Sequence, residues 1–227
     1  MQRFFDIVFS GIALVLLSPI LLPLIFILRV TGEGEIFFLQ SRVGRGGKHF
    51  NLYKFATMLK NSPNMGTGTV TVKNDPRVLP IGRFLRKTKI NELPQLINVF
   101  KGDMSIIGPR PQTQRCFDAF PESSQKDITK VRPGLSGIGS VVFRGEEDMM
   151  HANSDPELLY DDVIMPYKGK LESWYIRNNS VWNYLLLIAL TILVIFTRST
   201  GLIFQCFASL PRPPEALTSF ITSDYYE

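Results

Sequence analysis

The hydrophobic positions of this chain fall into blocks of very different length. From Ile7 to Leu28 no residue is charged. That length matches one helical passage through a hydrocarbon core ~30 Å thick, which takes about 20 residues. The run is not uniform, because Ser18-Pro19 sits near its middle and Pro23 follows. Proline removes a backbone donor and crowds the preceding turn, so it kinks or breaks a helix. Arg3 and Arg29 flank the run, and a positive charge at each end selects no orientation. Three readings stay open. A re-entrant helix–break–helix would return both arginines to the cytoplasmic face, with the Ser18 hydroxyl on a freed carbonyl. A straight crossing and a cleaved signal sequence are the others, the last weakened by the length of the run and its lack of a small-x-small exit.

Shorter patterns follow. Ile36 to Leu39 and Phe50 to Tyr53 are strand-like and separated by Gly44-Arg45-Gly46-Gly47, which predicts a hairpin. A short helix is expected over Lys54–Asn61 and a polar, mobile loop over Asn61–Asn74. Val78, Ile81, Phe84 and Leu85 recur at helical spacing within Arg77–Lys87. Leu93, Leu96, Ile97 and Phe100 do the same within Asn91–Lys101, with Asn91 as N-cap. A surface helix interrupted by Pro121 is expected over Phe117–Val131, a glycine-rich turn over Arg132–Gly139, and a helix over Glu157–Asn178 with a break near Pro166. Trp182 to Phe196 is again free of charge. It reads as a buried core helix, an interfacial helix marked by Trp182 and Tyr184, or a short span. The proline-rich tail from Ser209 is expected to be loosely ordered. The resulting fold class is α/β and mostly helical. Residues 1–29 form the membrane anchor and 30–181 a compact cytoplasmic domain with the hairpin. An apolar interfacial or core helix over 182–208 and a tail over 209–227 complete it.

Composition narrows the function classes. The 227 residues carry 25 Lys+Arg against 20 Asp+Glu, a net charge of +5, which suits an anionic partner such as phospholipid or nucleotide. No nucleic-acid module is present, so that partner is set aside. Two cysteines, Cys116 and Cys206, lie far apart, fit a reducing compartment and do not form a disulfide scaffold. Two histidines, His49 and His151, exclude a His-rich metal site.

The chemistry concentrates between Lys87 and Pro111. Glu92 lies at a helix start, where an acid also has the plain role of complementing the helix dipole for ~0.3–1 kcal/mol. Such a start equally gathers phosphate oxygens. Asp103 follows Gly102 in a turn and offers a hard oxygen to Mg²⁺. Gly108-Pro109-Arg110-Pro111 fixes the backbone on both sides of one guanidinium, whose rigid fork grips phosphate. Arg77, Arg83, Arg86, Lys87 and Lys89 crowd the upstream side. Arg42, Gly44, Gly47 and Lys48 form a basic hairpin without the spacing of a Walker loop, which excludes that NTPase class. Lys54, Arg132 and Arg144 are further basic positions.

The ordered series of motifs resembles the bacterial sugar transferases that act on polyprenyl phosphate, the monotopic phosphoglycosyl transferases. It runs through Arg3-Phe-Phe-Asp6, Ser18-Pro19, Arg42-Val-Gly-Arg-Gly-Gly-Lys48, Tyr53-Lys-Phe55, Asp75-Pro-Arg-Val78 and Gly82-Arg-Phe-Leu-Arg-Lys87. It continues through Glu92-Leu-Pro-Gln95, Gly102-Asp-Met-Ser105, Gly108-Pro-Arg-Pro111 and Arg132-Pro-Gly134. The resemblance implies transfer of a sugar-1-phosphate from a UDP-sugar to undecaprenyl phosphate with release of UMP, the first membrane step of a surface-glycan pathway. It also implies a re-entrant helix broken at Ser18-Pro19, Mg²⁺ as cofactor, contact with membrane lipid, and a site on the cytoplasmic face of the bacterial inner membrane. Homo-oligomerisation stays open. Glu92, Asn91 and Asp103 are then the catalytic candidates, with Glu92 and Asp103 on the metal. Arg110, Arg86, Lys87, Arg77, Arg42, Lys48, Lys54 and Arg132 are the phosphate-binding candidates.

One position departs from the family. Where the resemblance implies a nucleophilic Asp before the Glu, this chain has Asn91, and a carboxamide is a poor nucleophile. Direct transfer to the lipid phosphate, Glu92 as nucleophile, and a silent scaffold that binds nucleotide sugar are the remaining readings. Ala56 and the run Ile138–Arg144 also differ from the family pattern, so the sugar cannot be carried over.

Overall fold

The computed structural model describes residues 1–65, 75–146, 150, 155–197 and 201–221. Its contacts divide into two units. The first comprises Met1–Asp6, Arg42–Phe50 and Gly102–Glu227; the second comprises Ile7–Ser41 and Asn51–Lys101.

Helix α1, Gln2–Val30, runs through both prolines as one helical element of 29 residues. The structure thus shows one continuous helix where a helix–break–helix at Ser18-Pro19 is expected. Pro19 has no N–H to give the Val15 carbonyl four residues back. The Ser18 hydroxyl donates to that carbonyl at 2.7 Å instead. In the second unit Leu21, Leu24 and Leu28 pack with Phe55 and Leu85, positions spaced three and four apart that form one helical face. The opposite face stays apolar and bare: Val15 and Leu16 are each 72% exposed and Phe26 68%. By length and composition α1 can cross a membrane, with a mean hydropathy of 2.7 over its best window.

Strands β1, Phe37–Val43, and β2, His49–Phe55, form the expected hairpin around a turn at Arg45–Gly47. The helix expected over Lys54–Asn61 is absent. Lys54 and Phe55 continue β2, and the chain beyond bridges Met58 to Val78, so its backbone groups are satisfied laterally. Ser62–Asn64 makes a single tight turn, and residues 66–74 of the expected loop lie outside the described residues. Helix α2, Pro80–Lys87, begins on a proline, as a first helical turn permits. A Cβ on Gly82 would overlap the Thr57 backbone, so α2 lies directly against that strand extension. The single helix expected from Asn91 is split into a tight turn, Ile90–Glu92, and helix α3, Gln95–Lys101. Asn98 of α3 bridges the Tyr53 amide and the Asn51 carbonyl, at 2.9 and 2.8 Å, and ties the helix to β2.

The first unit contains a feature the patterning did not predict. Strand β3, Ser105–Ile107, pairs in parallel with β4, Gly134–Ser136, in the register Ser105↔Gly134 and Ile107↔Ser136. The second strand occupies the middle of the expected glycine-rich turn. Between them lie α4, Gln114–Asp118, and α5, Glu122–Ile128, separated at Pro121 as expected. Helix α6, Ile138–Val142, follows. The Glu157–Asn178 helix is present in three parts: α7, Pro156–Leu159, a wide turn at Tyr160–Ile164, and α8, Met165–Arg177. Helix α9, Val181–Thr197, buries Tyr184, Leu187, Leu190 and Val194 on one face and leaves Ile195 and Phe196 exposed on the other. The tail is not loose as far as it is described. Beyond α10, Leu202–Cys206, helix α11, Glu215–Ile221, buries Leu217 and Ile221 in the main core.

Candidate active site

The candidate residues are shared between the units. Asn91, Glu92, Arg86, Lys87, Lys54 and Arg77 belong to the second; Asp103, Arg110, Arg132, Arg42 and Lys48 belong to the first.

In the second unit the tight turn Ile90–Glu92 is launched by Lys89 in the left-handed region, φ 59°. A non-glycine residue there is uncommon and marks a turn whose direction matters. Asn91 is consequently buried, and its carboxamide oxygen has no hydrogen-bond partner among the described residues. A buried orphan acceptor costs about 1–3 kcal/mol. Glu92 is half-buried beside it, and Arg86 and Lys87 lie at the end of α2, Arg86 donating to the Met58 sulfur at 3.7 Å. Asn91 thus sits within a turn, not at the cap position expected for it.

Arg77 does not fit its expected role. It is 4% exposed and donates to both carboxylate oxygens of Asp75, at 2.9 and 2.6 Å. It also donates to the carbonyls of Ser62 and Met65, at 2.8 and 2.7 Å. The fork that would grip a phosphate is occupied by the fold itself, so Arg77 is a structural clamp.

In the first unit the Gly108–Pro111 turn is held on every side. Gly108 donates to the Ser136 carbonyl at 2.9 Å, and Gly134 donates to the Pro109 carbonyl at 2.8 Å. A Cβ on Gly137 would overlap the Gly108 carbonyl oxygen, which explains the glycines on both sides of this close approach. The Val43 amide donates to the Gln112 carbonyl at 3.0 Å, and the Arg42 guanidinium to the Pro111 carbonyl at 3.3 Å. The Arg110 and Gly139 amides donate to the carboxyl of Glu172 on α8. The result is a rigid backbone carrying one exposed guanidinium, Arg110. Arg42 serves this turn. Arg132 donates to the Gly102 carbonyl at 2.8 Å, next to half-buried Asp103. Lys48 is exposed at the hairpin turn, and Lys54 is half-buried on β2.

The sequence reading missed the support behind Arg110. Glu172 is 3% exposed, and Lys168, one turn earlier on α8, is 7% exposed. The Lys168 ammonium meets Glu146 at 2.6 Å and lies over the Phe143 ring at 4.9 Å. Burial pushes the Glu172 carboxyl up to about 8, with the Lys168 charge pulling it down. Burial also holds the Lys168 ammonium below its ordinary value, opposed by Glu146. A Lys and a Glu four apart in an otherwise buried helix were the available signal. Asp6, quoted above only as part of a motif, is also buried: it accepts from the Ser105 and Tyr184 hydroxyls, both at 2.8 Å, and from the Ile106 amide at 2.9 Å.

Among the described residues no group of three or more His, Cys, Asp or Glu is placed to hold a metal ion. A dedicated protein cage is thus not present there. Mg²⁺ in phosphate sites ordinarily takes only one or two carboxylates and the substrate's own oxygens, a requirement that single carboxylates such as Glu92 or Asp103 meet.

The profile of the family described as "Bacterial sugar transferase" matches residues 1–198. The chain belongs to the bacterial sugar transferase family. It is similar to a UDP-N-acetylgalactosamine-undecaprenyl-phosphate N-acetylgalactosaminephosphotransferase of Aeromonas hydrophila, 36% identical over 86% of this chain and 44% of that protein. It is similar to the undecaprenyl-phosphate galactose phosphotransferase of Salmonella typhimurium, 33% identical over 87% of this chain and 41% of the relative. A UDP-glucose:undecaprenyl-phosphate glucose-1-phosphate transferase of Klebsiella pneumoniae is 35% identical over 84% and 39%. The chain therefore spans less than half the length of these relatives.

Proposed function

We propose that this sugar transferase chain moves a sugar-1-phosphate from a UDP-sugar to undecaprenyl phosphate and releases UMP. The observation that carries the reading is the Gly108–Pro111 turn: a backbone pinned from four sides that offers one exposed arginine, in a chain whose relatives are named for this transfer. A fixed guanidinium stabilises charge on a transferring phosphoryl group without reorganising during the reaction. With a carboxamide at position 91, the balanced route is direct. An oxygen of the lipid phosphate attacks the β-phosphorus of the donor, the bond to the bridging oxygen breaks, and UMP leaves with that oxygen. Asn91 then orients a substrate hydroxyl through its unpartnered oxygen, and Glu92 handles charge beside it. Mg²⁺ carried on the diphosphate would take a protein oxygen from Glu92 or from Asp103, neutralising the leaving group when bound.

The location proposed is the cytoplasmic face of the inner membrane, with α1 dipping into one leaflet and bending at Ser18-Pro19. The Ser18 hydroxyl on the Val15 carbonyl supports this, since it satisfies the group that the proline orphans inside lipid. The three relatives differ in the sugar they are named for, so the donor is tested directly. Purified full chain, undecaprenyl phosphate and a panel of UDP-sugars should give UMP with one donor preferred, and Glu92→Gln should abolish it. Wild-type turnover in that variant removes Glu92 from the mechanism.

A second reading rests on Asn91 itself: a silent binder of nucleotide sugar. No UMP from any donor, together with activity gained in Asn91→Asp, would establish it.

A further inference from the structure

The first unit holds a second polar feature, which shares only Arg132 with the phosphate-binding candidates. A cleft of about 490 Å³ is lined by Arg3, Arg45, Lys130 and Arg132, with Asp6 and Tyr175 on its wall. Its size falls in the ordinary range for ligand sites, roughly 300–1,000 Å³. Four cations face one carboxylate there. That carboxylate, Asp6, is already engaged by two hydroxyls and an amide. Lys130 also meets Asp127 at 2.6 Å, and Asp127 in turn takes Arg177. The independent sign of a ligand is Tyr175. It is 2% exposed, it lines the cleft, and its hydroxyl has no hydrogen-bond partner among the described residues. Burial, with the nearby Glu172 and Asp6 charges, raises its pKa and keeps the phenol a donor. A donor backed by guanidinium groups calls for an anionic oxygen.

The surroundings identify the source of that oxygen. Phe4 and Trp182 follow cleft residues Arg3 and Val181 in the chain and are 65% and 72% exposed. Aromatic residues bared beside cations mark the headgroup level of a bilayer. Arg3 also precedes the uncharged run that starts at Ile7 by four positions. We infer that the cleft binds the phosphodiester headgroup of an anionic phospholipid, with the Tyr175 hydroxyl donating to a phosphate oxygen and Arg3, Arg45, Lys130 and Arg132 supplying the charge. This inference needs a membrane location but not the sugar-transfer chemistry.

The test measures thermal stability of the full chain in neutral detergent micelles doped with phosphatidylglycerol or phosphatidylcholine, since a ligand that binds the folded state raises Tm with its concentration. Phosphatidylglycerol should stabilise saturably and phosphatidylcholine should not. Arg45→Gln/Lys130→Gln should weaken the apparent affinity roughly 30-fold, at about 1 kcal/mol per basic residue near a lipid surface. Tyr175→Phe, which removes only the hydroxyl, should weaken it roughly three- to tenfold. The double variant should match the wild type in phosphatidylcholine, which checks its fold. Equal stabilisation by both lipids, or undiminished affinity in the double variant, overturns the inference. So does inorganic phosphate binding as tightly as the lipid. One-for-one displacement by undecaprenyl phosphate also overturns it, by making the cleft the acceptor's seat.

Discussion

The corner at Asp75–Arg77 and the turn at Gly108–Pro111 both present an arginine directly after a proline. Read along the chain they are equivalent candidates for holding phosphate. In the folded molecule they are opposites. Arg77 is buried and its side chain is pinned, by Asp75 and two carbonyls. At Arg110 the backbone is pinned instead, by β4, Val43, Arg42 and Glu172, and the side chain is exposed. Asp75 grips the buried Arg77 head, whereas Glu172 meets the Arg110 turn through its backbone amide.

Four variants break or sharpen that contrast. Arg77→Met strands the Asp75 carboxylate in the interior and should cost about 3–5 kcal/mol of stability, read by denaturant unfolding, with the turnover of the remaining folded fraction little changed. Arg110→Ala should reverse the pattern: UMP release falls by about 10²–10³-fold, while stability stays within ~0.5 kcal/mol of wild type. A stable, inactive Arg77→Met would dissolve the distinction. Gly137→Ala pushes a methyl against the Gly108 carbonyl. It should cost about 1–3 kcal/mol and lower kcat more than it raises KM, because the arginine is displaced and not removed. The smallest signal is a slope. The Glu172 carboxyl titrates at about 8 in the fold against 4.5 unfolded. The folded state therefore holds the extra proton between those values, and this group's contribution is full below about pH 4.5 and lost as pH rises to about 8. Glu172→Gln should remove that decline, at most about 1.4 kcal/mol per pH unit, in unfolding measured from pH 5 to 8. Identical slopes in both proteins would place Glu172 outside the titration.

Much of this was legible in the chain. The hairpin announced itself through two apolar runs around three glycines, and Pro121 marked the separation of α4 from α5. The rigid Gly-Pro-Arg-Pro turn was readable because prolines dictate their own backbone. The parallel pair β3–β4 was not, since strands of three residues are too short to show alternation and their partner lies beyond two helices. Helix α11 was hidden behind Pro211, Pro213 and Pro214, although Leu217 and Ile221 stand one turn apart. Asp75 stands only two residues from Arg77, but the Ser62 and Met65 carbonyls that complete its clamp sit on another segment. The mark of Glu172, a lysine four residues earlier, says nothing of the Arg110 and Gly139 amides it meets, which lie far along the chain.

The ties on the Arg110 turn reach far along the chain in both directions, to Val43 on one side and Glu172 on the other. Such distant pairings close late, because the intervening loops must first give up their freedom. A growing polypeptide would thus complete the Arg110 turn only after α8 has been made and has docked, long after the apolar run of α1 has been synthesised.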